Sequence, residues 1–494
     1  MLVDKSKQKN ERREADPPRV ALLSGQDEND SAKLRPPSPC LRLPSATRRP
    51  QPSASRSVAR LLTLTSMRAR VCVLGLAALV CVTALPSPPL EQIPFSLSDD
   101  RRPTSSLAHP DLASLSLEHR TQLDEYLETY TEPRLVQLRG EHEPRWVTEG
   151  GKALLVFNQT RFVDVTDDEV IEALAAATPS QAPANTYPKK LKHRANQLRS
   201  LFDKINLVEM KHFLRQFTDF YTRHYRSTYG VQSQLFLLNH LKELHTKHNP
   251  NANLTFTEFQ HSSWDQKSII VRWSPRPTNS TAHSAPVIIL SAHQDSTGPL
   301  PFLRAPGADD DGSGTAALVE VLSVLLQSGW EPTDSAVEWM FLSAEECGLC
   351  GSSEVVKSYK AGGRQIRAMY HMDVTAYLRP GTEPVIGLIT DGVSPTLTDY
   401  IELLINEYAT LPAARTQCGY ACSDHGSFDK AGYPAACLSE GKFADSNPDM
   451  HTAQDTIDRP EYSLEHVREF VRIGLGYVVE LAGRFDSLNR DGDF

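Results

Sequence analysis

The sequence predicts an α/β protein, a three-layer α/β/α sandwich around a mixed, mostly parallel sheet. From residue 187 onward, short apolar runs typical of buried strands alternate with helical segments. Residues 188–247 have the spacing of amphipathic helices, with apolar side chains three and four positions apart. Later apolar runs predict strands at 287–291, 336–342, 368–372 and 385–390, and helices at 315–327 and 464–484.

The composition is that of a globular protein, with 40% hydrophobic and 23% charged residues among 494. A chain of this length has room for more than one domain at the usual ~150 residues each. The formal net charge of −9 gives no reason to expect binding to nucleic acid. We therefore expect no nucleic-acid partner.

One segment near the N-terminus is typical of a secretory signal peptide. Arg68 and Arg70 precede an apolar run over residues 71–82, and small residues lead to a predicted cleavage site after Ala84. The run is shorter than the ~20 apolar residues that a membrane-spanning helix needs, which favours secretion. The alternative is a signal anchor at 71–85 with a cytosolic tail before it.

The N-terminal region divides where its composition changes. Met67 stands just before the signal, so we expect translation to begin there and to omit the Pro-, Ser- and Arg-rich extension. A low-complexity linker at 175–185 is suited to proteolysis, and a segment between signal and linker is typical of a propeptide. The predicted regions are a disordered extension at 1–66, a signal peptide at 67–84, a propeptide with linker at 85–186, and the main domain at 187–494.

Sequons and cysteines also bear on export. Three Asn-x-Thr tripeptides make Asn158, Asn253 and Asn279 candidate glycosylation sites, although such tripeptides also arise by chance. Three of the eight cysteines lie in or before the signal, and the others are Cys347, Cys350, Cys418, Cys422 and Cys437. Because this number is odd, at least one thiol is free or pairs with another molecule.

Side chains of metal-binding type stand where the predicted strands end. Loops at strand ends gather the functional groups of α/β proteins. His293 and Asp373 follow two strands directly, and His451 stands in a late loop. The acidic runs Asp309-Asp310-Asp311 and Glu345-Glu346 add carboxylates. Each feature alone is more often structural, so the prediction of a metal site depends on their joint arrangement.

The donor set suits a pair of zinc ions. Zinc binds imidazole and carboxylate, and two-metal hydrolases hold their ions ~3.5–4 Å apart. Two dications at that distance repel, so a shared carboxylate is expected between them. Of the tandem Glu345-Glu346, one can bind metal while the other moves the proton of the bridging water to the leaving amine. Asp295, two residues after His293, is expected to orient that imidazole.

Several motifs carry a resemblance to a known family. They are Ser291-Ala292-His293-Gln294-Asp295-Ser296, Ala305-Pro306-Gly307-Ala308-Asp309-Asp310-Asp311-Gly312-Ser313-Gly314, Ser343-Ala344-Glu345-Glu346, Met372-Asp373-Val374-Thr375, Cys418-Gly419-Tyr420-Ala421-Cys422-Ser423-Asp424-His425 and His451-Thr452-Ala453-Gln454-Asp455-Thr456. From Tyr187 to the C-terminus the chain resembles the secreted bacterial and fungal leucyl aminopeptidases with co-catalytic zinc. The stretch 146–165 resembles the propeptide of the fungal members.

The resemblance implies an extracellular enzyme that releases hydrophobic, leucine-like residues from peptides with a free N-terminus. Its own propeptide would bind the domain until maturation, and we expect a monomer. Two Zn²⁺ ions per chain would activate a hydroxide for attack on the peptide bond. The implied roles are Asp310 as the bridge, Glu346 and His451 on one zinc, His293 and Asp373 on the other, Glu345 as general base, and a cis peptide bond between Asp310 and Asp311.

Substrate-binding residues are also implied by the resemblance. A disulfide between Cys418 and Cys422 would shape a loop beside the specificity pocket. Tyr420 in that loop could hydrogen-bond the substrate. The implied apolar pocket consists of Val374, Ile389, Tyr420, Phe443 and Met450, which the sequence alone would assign to the core.

Cys347 and Cys350 depart from the family pattern. They could form a local disulfide, remain two buried thiols, or take part in a displaced mode of metal binding. We favour two buried thiols, because free cysteine is commonly buried.

Other functions remain as alternatives. Related enzymes include a zinc carboxypeptidase, an amidohydrolase and a glutaminyl cyclase, but the Cys418–Cys422 loop motif favours an aminopeptidase. A non-catalytic binding ectodomain with the same fold would have lost ligands. Here all five ligands and Glu345 are present.

Overall fold

The computed structural model of the protein describes residues 112–177, 187–276, 286–483 and 485. These residues all belong to one compact unit, 86–494. The predicted extension at 1–66, the signal peptide or anchor up to 85, and Asn279 lie outside the described residues. Among the helices within the described ranges, none is long and apolar enough to cross a membrane.

Residues 112–177 form a small sheet with helices around it. Its strands are β1 (Pro133–Leu138), β2 (Arg145–Thr148) and β3 (Phe162–Asp164), in the antiparallel order β2-β1-β3. The helices are α1 (Leu117–Thr129), α2 (Lys152–Phe157) and α3 (Asp168–Ala177). Val136, Leu138, Val147 and Phe162 pack together as a small core of their own.

The main domain is built on an eight-stranded mixed sheet with the order β10-β9-β11-β8-β6-β7-β5-β4. Its strands are β4 (Leu254–Phe259), β5 (Ser268–Trp273), β6 (Val287–His293), β7 (Val337–Leu342), β8 (Ile366–Met372), β9 (Ile386–Ile389), β10 (Ala413–Thr416) and β11 (Ala435–Ser439). The pairs β10/β9, β11/β8, β6/β8 and β6/β7 are parallel, and the other three are antiparallel. The prediction of a mixed, mostly parallel sheet is confirmed.

Helices cover both faces of this sheet. They are α4 (Arg199–Phe202), α5 (Leu207–Phe217), α6 (Thr228–His248), α7 (Gly312–Ser328), α8 (Cys350–Ala361), α9 (Pro395–Tyr408), α10 (His425–Lys430) and α11 (Leu464–Ala482). Leu290 of β6 packs into the core shared with α7 and α11, whereas the adjacent Ile289 packs into the core shared with α8 and α10. Because successive strand residues face opposite sides, an all-apolar β6 serves both cores.

Helix α7 places part of the acidic run beside the sheet. The side chain of Asp311 caps its N-terminus by accepting the N–H of Gly314, and Gly329 ends it in the left-handed conformation with φ 68°. The helix therefore begins three residues earlier than the predicted 315–327, because the Gly-rich turn supplies its first turn. As a result, Asp310 and Asp311 stand directly at a helix start.

Glu320 on α7 makes folding stability depend on pH. Its buried carboxylate accepts the backbone N–H of Asn206 at 2.7 Å, and burial raises the pKa of Glu320 from 4.5 to about 7. The pKa of Glu320 in the folded state lies above its unfolded value of 4.5. With respect to this group, the protein is therefore most stable below pH 4.5, and it loses stability as the pH rises through 7. Glu320→Gln keeps an acceptor without the charge, so we expect it to raise the free energy of unfolding at pH 8 by about 3 kcal/mol.

Urea denaturation at pH 5 and pH 8 measures this effect, with the exposed Glu383→Gln as the control. The gain should shrink strongly at pH 5, where Glu320 is already largely protonated. An equal gain at both pH values would contradict a raised pKa.

Candidate metal centre and active site

The five predicted ligands meet at the ends of β6, β7 and β8. His293 Nε2 lies 3.1 Å from Asp310 Oδ1 and 3.4 Å from Asp373 Oδ1. His451 Nε2 lies 2.8 Å from Glu346 Oε2 and 3.2 Å from Asp310 Oδ2. Asp310 thus directs one oxygen toward each histidine, which is the arrangement that a bridging carboxylate requires.

Asp311 is a second acid beside the same half of the site. One of its oxygens lies within 4.8 Å of the ligand atoms of His293 and Asp373. However, its Oδ1 accepts the backbone N–H groups of Gly314 and Val374, and its Oδ2 accepts that of His293. These bonds orient Asp311 toward the backbone and leave Asp310 better placed to bridge. The peptide bond between the two residues is cis, as the resemblance implied.

The side chains fit a pair of cations. Both ring nitrogens of His293 and Oε1 of Glu346 are buried without a hydrogen-bond partner among the described residues. Burial opposes charge on the histidines, but the facing carboxylates raise the pKa of His293 well above its ordinary value and that of His451 to about 10. Such affinity for protons reflects an excess of negative charge, which bound metal cations would neutralise.

Asp295 connects the histidine to the tandem glutamates. Its Oδ1 lies 3.5 Å from His293 Nδ1, on the side of the imidazole that Asp295 was predicted to contact. Its shorter contacts are to backbone N–H groups, that of Glu345 at 3.1 Å and that of Glu346 at 3.3 Å. Burial, followed by the carboxylates of Asp373 and Glu346, raises the pKa of Glu345 well above its ordinary value.

Left-handed backbone conformations occur at the predicted ligands or within two residues of them. Ala344 (φ 56°) precedes Glu345, Val374 (φ 53°) follows Asp373, and His451 itself has φ 62°. Such conformations cost roughly 1–3 kcal/mol each for residues with a side chain, and they concentrate at functional sites. These conformations could not be predicted from the sequence, because none of the three residues is glycine or asparagine.

The predicted pocket residues fall into two groups. Ile389 is buried in a cluster with Cys418 and Cys437, against which Tyr420 and Phe443 pack. Val374 is buried and Met450 half-buried, but both lie outside that cluster. The predicted Cys418–Cys422 disulfide is present.

The interpretation of Cys347 and Cys350 as two free thiols was wrong. They form a disulfide, with Cα atoms 5.9 Å apart. Both are buried as expected, but Gly348 (φ 90°) and Leu349 (φ 69°) turn the chain tightly enough to bring the two sulfurs together. Cys437 is a free, buried thiol.

Residues 112–177 pack directly on the turn that carries Glu346. Lys152 Nζ donates to the carbonyl oxygen of Cys347 at 3.2 Å, and the N–H of Asp164 donates to that of Gly348 at 3.0 Å. Lys152 is itself buried between the carboxylates of Glu149 and Asp164, at 2.8 and 3.0 Å. A paired, buried lysine therefore anchors this segment to the main domain.

Two arginines of the same segment cover predicted pocket residues. Arg161 Nη1 donates to the hydroxyl of Tyr420 at 3.2 Å, and its guanidinium lies 5.0 Å from the ring centre of Phe443. The guanidinium of Arg139 lies 5.1 Å from Phe443 and 5.9 Å from Tyr420. On the metal side of the site, the side chain of His451 is 42% exposed, whereas those of Asp310 and Glu346 are only 9% and 4% exposed.

Asp455 is a site residue whose role the sequence did not predict. Its carboxylate accepts the backbone N–H groups of Asp309 at 3.1 Å and Asp310 at 3.0 Å, and also Nδ2 of Asn447 at 3.2 Å. Its position four residues after His451, within the same motif, was the available signal. Through Asp455 the His451 loop holds the backbone of Asp310.

Comparisons with known proteins agree with this geometry. Residues 268–473 match peptidase family M28. Leucine aminopeptidase 1 of Chaetomium globosum is 38% identical over 349 residues, which cover 69% of this chain and 83% of that protein. A probable aminopeptidase of Saccharomyces cerevisiae is 37% identical over 357 residues, 71% and 93% of the two chains. The chain belongs to peptidase family M28.

Membership confirms the resemblance to leucyl aminopeptidases, and it makes the chain a hydrolase, a metallo-aminopeptidase that acts on peptides. The crystal structure of the LapA aminopeptidase of Legionella pneumophila is similar with a TM-score of 0.60 at 23% identity, covering 73% of this chain and 97% of that one. LapB of the same organism has a TM-score of 0.59. At this level of identity the likeness concerns the fold, and it confirms the predicted sandwich.

Asp295→Asn tests whether this carboxylate organises the site. The amide keeps the shape of the side chain, but its NH₂ group cannot accept a hydrogen bond, so the N–H of Glu345 or of Glu346 loses its acceptor. We expect zinc affinity to fall by roughly 10- to 100-fold, as is usual when a residue that supports a ligand is changed. Competition with a fluorescent zinc chelator measures this, with the exposed Asp265→Asn as control. Equal affinity in both variants would contradict the role.

Proposed function

We propose that this protein is an extracellular, zinc-dependent aminopeptidase that releases apolar, leucine-like residues from the N-termini of peptides. The observation that carries the proposal is the carboxylate of Asp310, which lies between His293 and His451 with one oxygen 3.1 or 3.2 Å from each. Asp373 completes one half of the site and Glu346 the other. Two half-sites that share one carboxylate support two ions per chain.

Zinc is the metal that this donor set favours, because imidazole nitrogen and carboxylate oxygen are among its usual ligands. When bound, two zinc ions would lower the pKa of a water molecule and polarise the scissile carbonyl. Glu345 would take the proton of the attacking water and return it to the leaving amine. Asp295 supports this role, since it holds the backbone of Glu345 and Glu346 in one turn.

The side-chain preference is supported by the cluster around Ile389. Its apolar wall of Ile389, Phe443 and the Cys418–Cys422 disulfide would accept an aliphatic side chain by burying it from water. Tyr420 at the same place offers a hydroxyl for a substrate hydrogen bond. An unbranched or branched apolar first residue fits these surroundings better than a charged one.

Export is supported by three independent features. The signal-like segment at 67–84 precedes the described residues, and Asn158 and Asn253 of the sequons are exposed. The two disulfides are typical of proteins that fold in oxidising compartments. We propose secretion rather than anchoring through 71–85.

We also propose that residues 112–177 act as a propeptide that limits activity until the linker is cut. The contacts of Arg139 and Arg161 with Tyr420 and Phe443 support this, since a substrate side chain would need the same ring faces. The segment would therefore inhibit at the pocket.

Hydrolysis of leucine anilide and of its N-acetylated form tests the proposed activity. We expect cleavage of the free-amine substrate alone, loss of cleavage with a chelator, and a 10²- to 10⁴-fold lower kcat in Glu345→Gln, because its amide cannot carry the proton. Glu354→Gln, which changes a carboxylate of α8 that bonds His261 and Ser262, is the control. Cleavage of the acetylated substrate would instead indicate an amidohydrolase, and cyclisation of N-terminal glutamine a cyclase.

Arg161→Ala and Arg139→Ala test the inhibitory contact in the uncut, secreted chain, whose N-terminus is first determined by sequencing. Removing a guanidinium from an aromatic face costs ~0.5–2 kcal/mol, so each change should raise activity toward leucine anilide several-fold. Arg145→Ala removes an exposed arginine of the same small sheet and should leave activity unchanged. Full activity of the uncut wild-type chain would refute the proposed inhibition.

A further inference from the structure

Arg223 is fully buried beside the candidate active site, yet it hydrogen-bonds no carboxylate among the described residues. Its guanidinium donates to three backbone carbonyls instead. Nε donates to Gln294 at 2.8 Å, Nη1 donates to Pro306, and Nη2 donates to Gly307 at 2.9 Å. A buried guanidinium that donates its hydrogen bonds to main-chain carbonyls constrains the path of the backbone.

The three carbonyls belong to the two segments that carry His293 and Asp310. Gln294 directly follows His293, while Pro306 and Gly307 lead into the turn that presents Asp310. These two ligands belong to the same half-site, where His293 Nε2 and Asp310 Oδ1 are 3.1 Å apart. The guanidinium therefore spans the gap between the two segments whose spacing determines that distance.

Ser296 makes a second tie between the same segments. Its hydroxyl accepts the backbone N–H of Arg223 at 3.0 Å and donates to the carbonyl of Ala305 at 2.8 Å. In addition, the N–H of Ala305 donates to the carbonyl of Tyr221 at 2.9 Å. The chain around Arg223 is thus bonded to both segments by backbone as well as side chain.

The guanidinium has no freedom to shift within this arrangement. The ring of Phe217 lies against it, 4.5 Å from the guanidinium carbon. On the other side, Gly307 is left-handed with φ 52°, and a Cβ there would lie 2.5 Å from Ser296 Cβ and 3.0 Å from Arg223 Nη2. Because the packing admits only glycine, the planar group is fixed in position.

Arg223 remains positively charged although it is buried. Burial lowers the pKa of Arg223 to about 10, while the negative charges of Asp455, Asp295, Asp311 and Asp310 oppose that shift. At neutral pH the group therefore remains protonated with all its donors. Arg223 also lies outside residues 268–473, the part of the chain that matches the family.

We infer that Arg223 is a positioning residue that fixes the separation of His293 and Asp310 and so sets the zinc affinity of their half-site. The inference rests on the proposed two-zinc function. Lysine could replace the charge of arginine but not its fork, the planar set of guanidinium N–H donors. The ammonium of lysine is a point donor on a flexible stem, whereas the guanidinium presents its donors in a rigid plane. Geometry and charge can therefore be separated by substitution.

The test uses the full-length chain stripped of metal and titrated with zinc against a fluorescent chelator. The variants are Arg223→Lys, which keeps the charge, and Arg223→Gln, which loses it. We expect both to bind one zinc ion roughly 10- to 100-fold more weakly than wild type, while the ion at Glu346 and His451 is less affected. At saturating zinc, kcat should fall more than KM rises, since Arg223 does not line the pocket around Ile389 and Tyr420.

Arg272→Lys is the matched control, because Arg272 is a part-buried arginine of β5 that bonds the carboxylate of Glu338 on β7 and neither of the segments that carry His293 and Asp310. Thermal unfolding of the metal-free proteins separates a general loss of stability from a loss of zinc affinity. A control that loses as much zinc affinity as Arg223→Lys would overturn the inference.

The remaining outcomes are equally distinct. Wild-type zinc affinity in both Arg223 variants, or in Arg223→Lys alone, would show that the fork does not position the ligands. Failure of the wild-type chain to bind two zinc ions would instead overturn the proposed function. Should the Arg223 variants not fold, Ser296→Ala removes both hydrogen bonds of the parallel tie and should weaken the binding of one zinc ion by at least the about three- to tenfold that one hydrogen bond contributes. Unchanged binding there would also count against the inference.

Discussion

The structure depends on the burial of many carboxylates in one small region. A buried charge is costly unless it is hydrogen-bonded or paired, and like charges raise that cost further. Here three of the acids around the predicted ligands are satisfied by backbone N–H groups. Asp295 accepts those of Glu345 and Glu346, Asp311 accepts that of His293, and Asp455 accepts that of Asp310. An outer set of carboxylates thus holds the backbone of the inner, metal-facing residues.

Opposite charge completes this arrangement at two places. Arg223 is a buried cation whose charge is attracted by the carboxylates of Asp455, Asp295 and Asp311. Its guanidinium hydrogen-bonds backbone carbonyls of the His293 and Asp310 segments and so connects them. Lys152, from the small N-terminal sheet, brings another to Glu149 and Asp164, next to the Cys347–Cys350 turn. That turn carries Glu346 and receives the N-terminal segment, so the segment that contacts Tyr420 and Phe443 also packs on the turn of a predicted ligand.

The predictable parts were those with a local signal. Apolar runs fixed β6, β7 and β8, and acids or histidines at their ends located the ligands, because the ends of parallel strands meet at one edge of a sheet. Contacts between distant segments had no such signal. Arg223 lies 71 residues from Gln294 and in no motif, and Lys152 lies 195 residues from Cys347. For Cys347 and Cys350, burial was the correct expectation, but pairing depended on the left-handed turn at Gly348 and Leu349.

Backbone strain explains why so many bonds converge on the ligand turns. Ala344, Val374 and His451 adopt left-handed conformations that their side chains disfavour, and each is a predicted ligand or lies within two residues of one. Local preference would relax these turns, so long-range contacts must hold them. Two of the three turns are held by outer carboxylates, since Asp295 bonds the residues after Ala344 and Asp311 bonds Val374 itself. Ligand geometry is thereby built into the polypeptide, and a metal ion entering the site meets donors already in place.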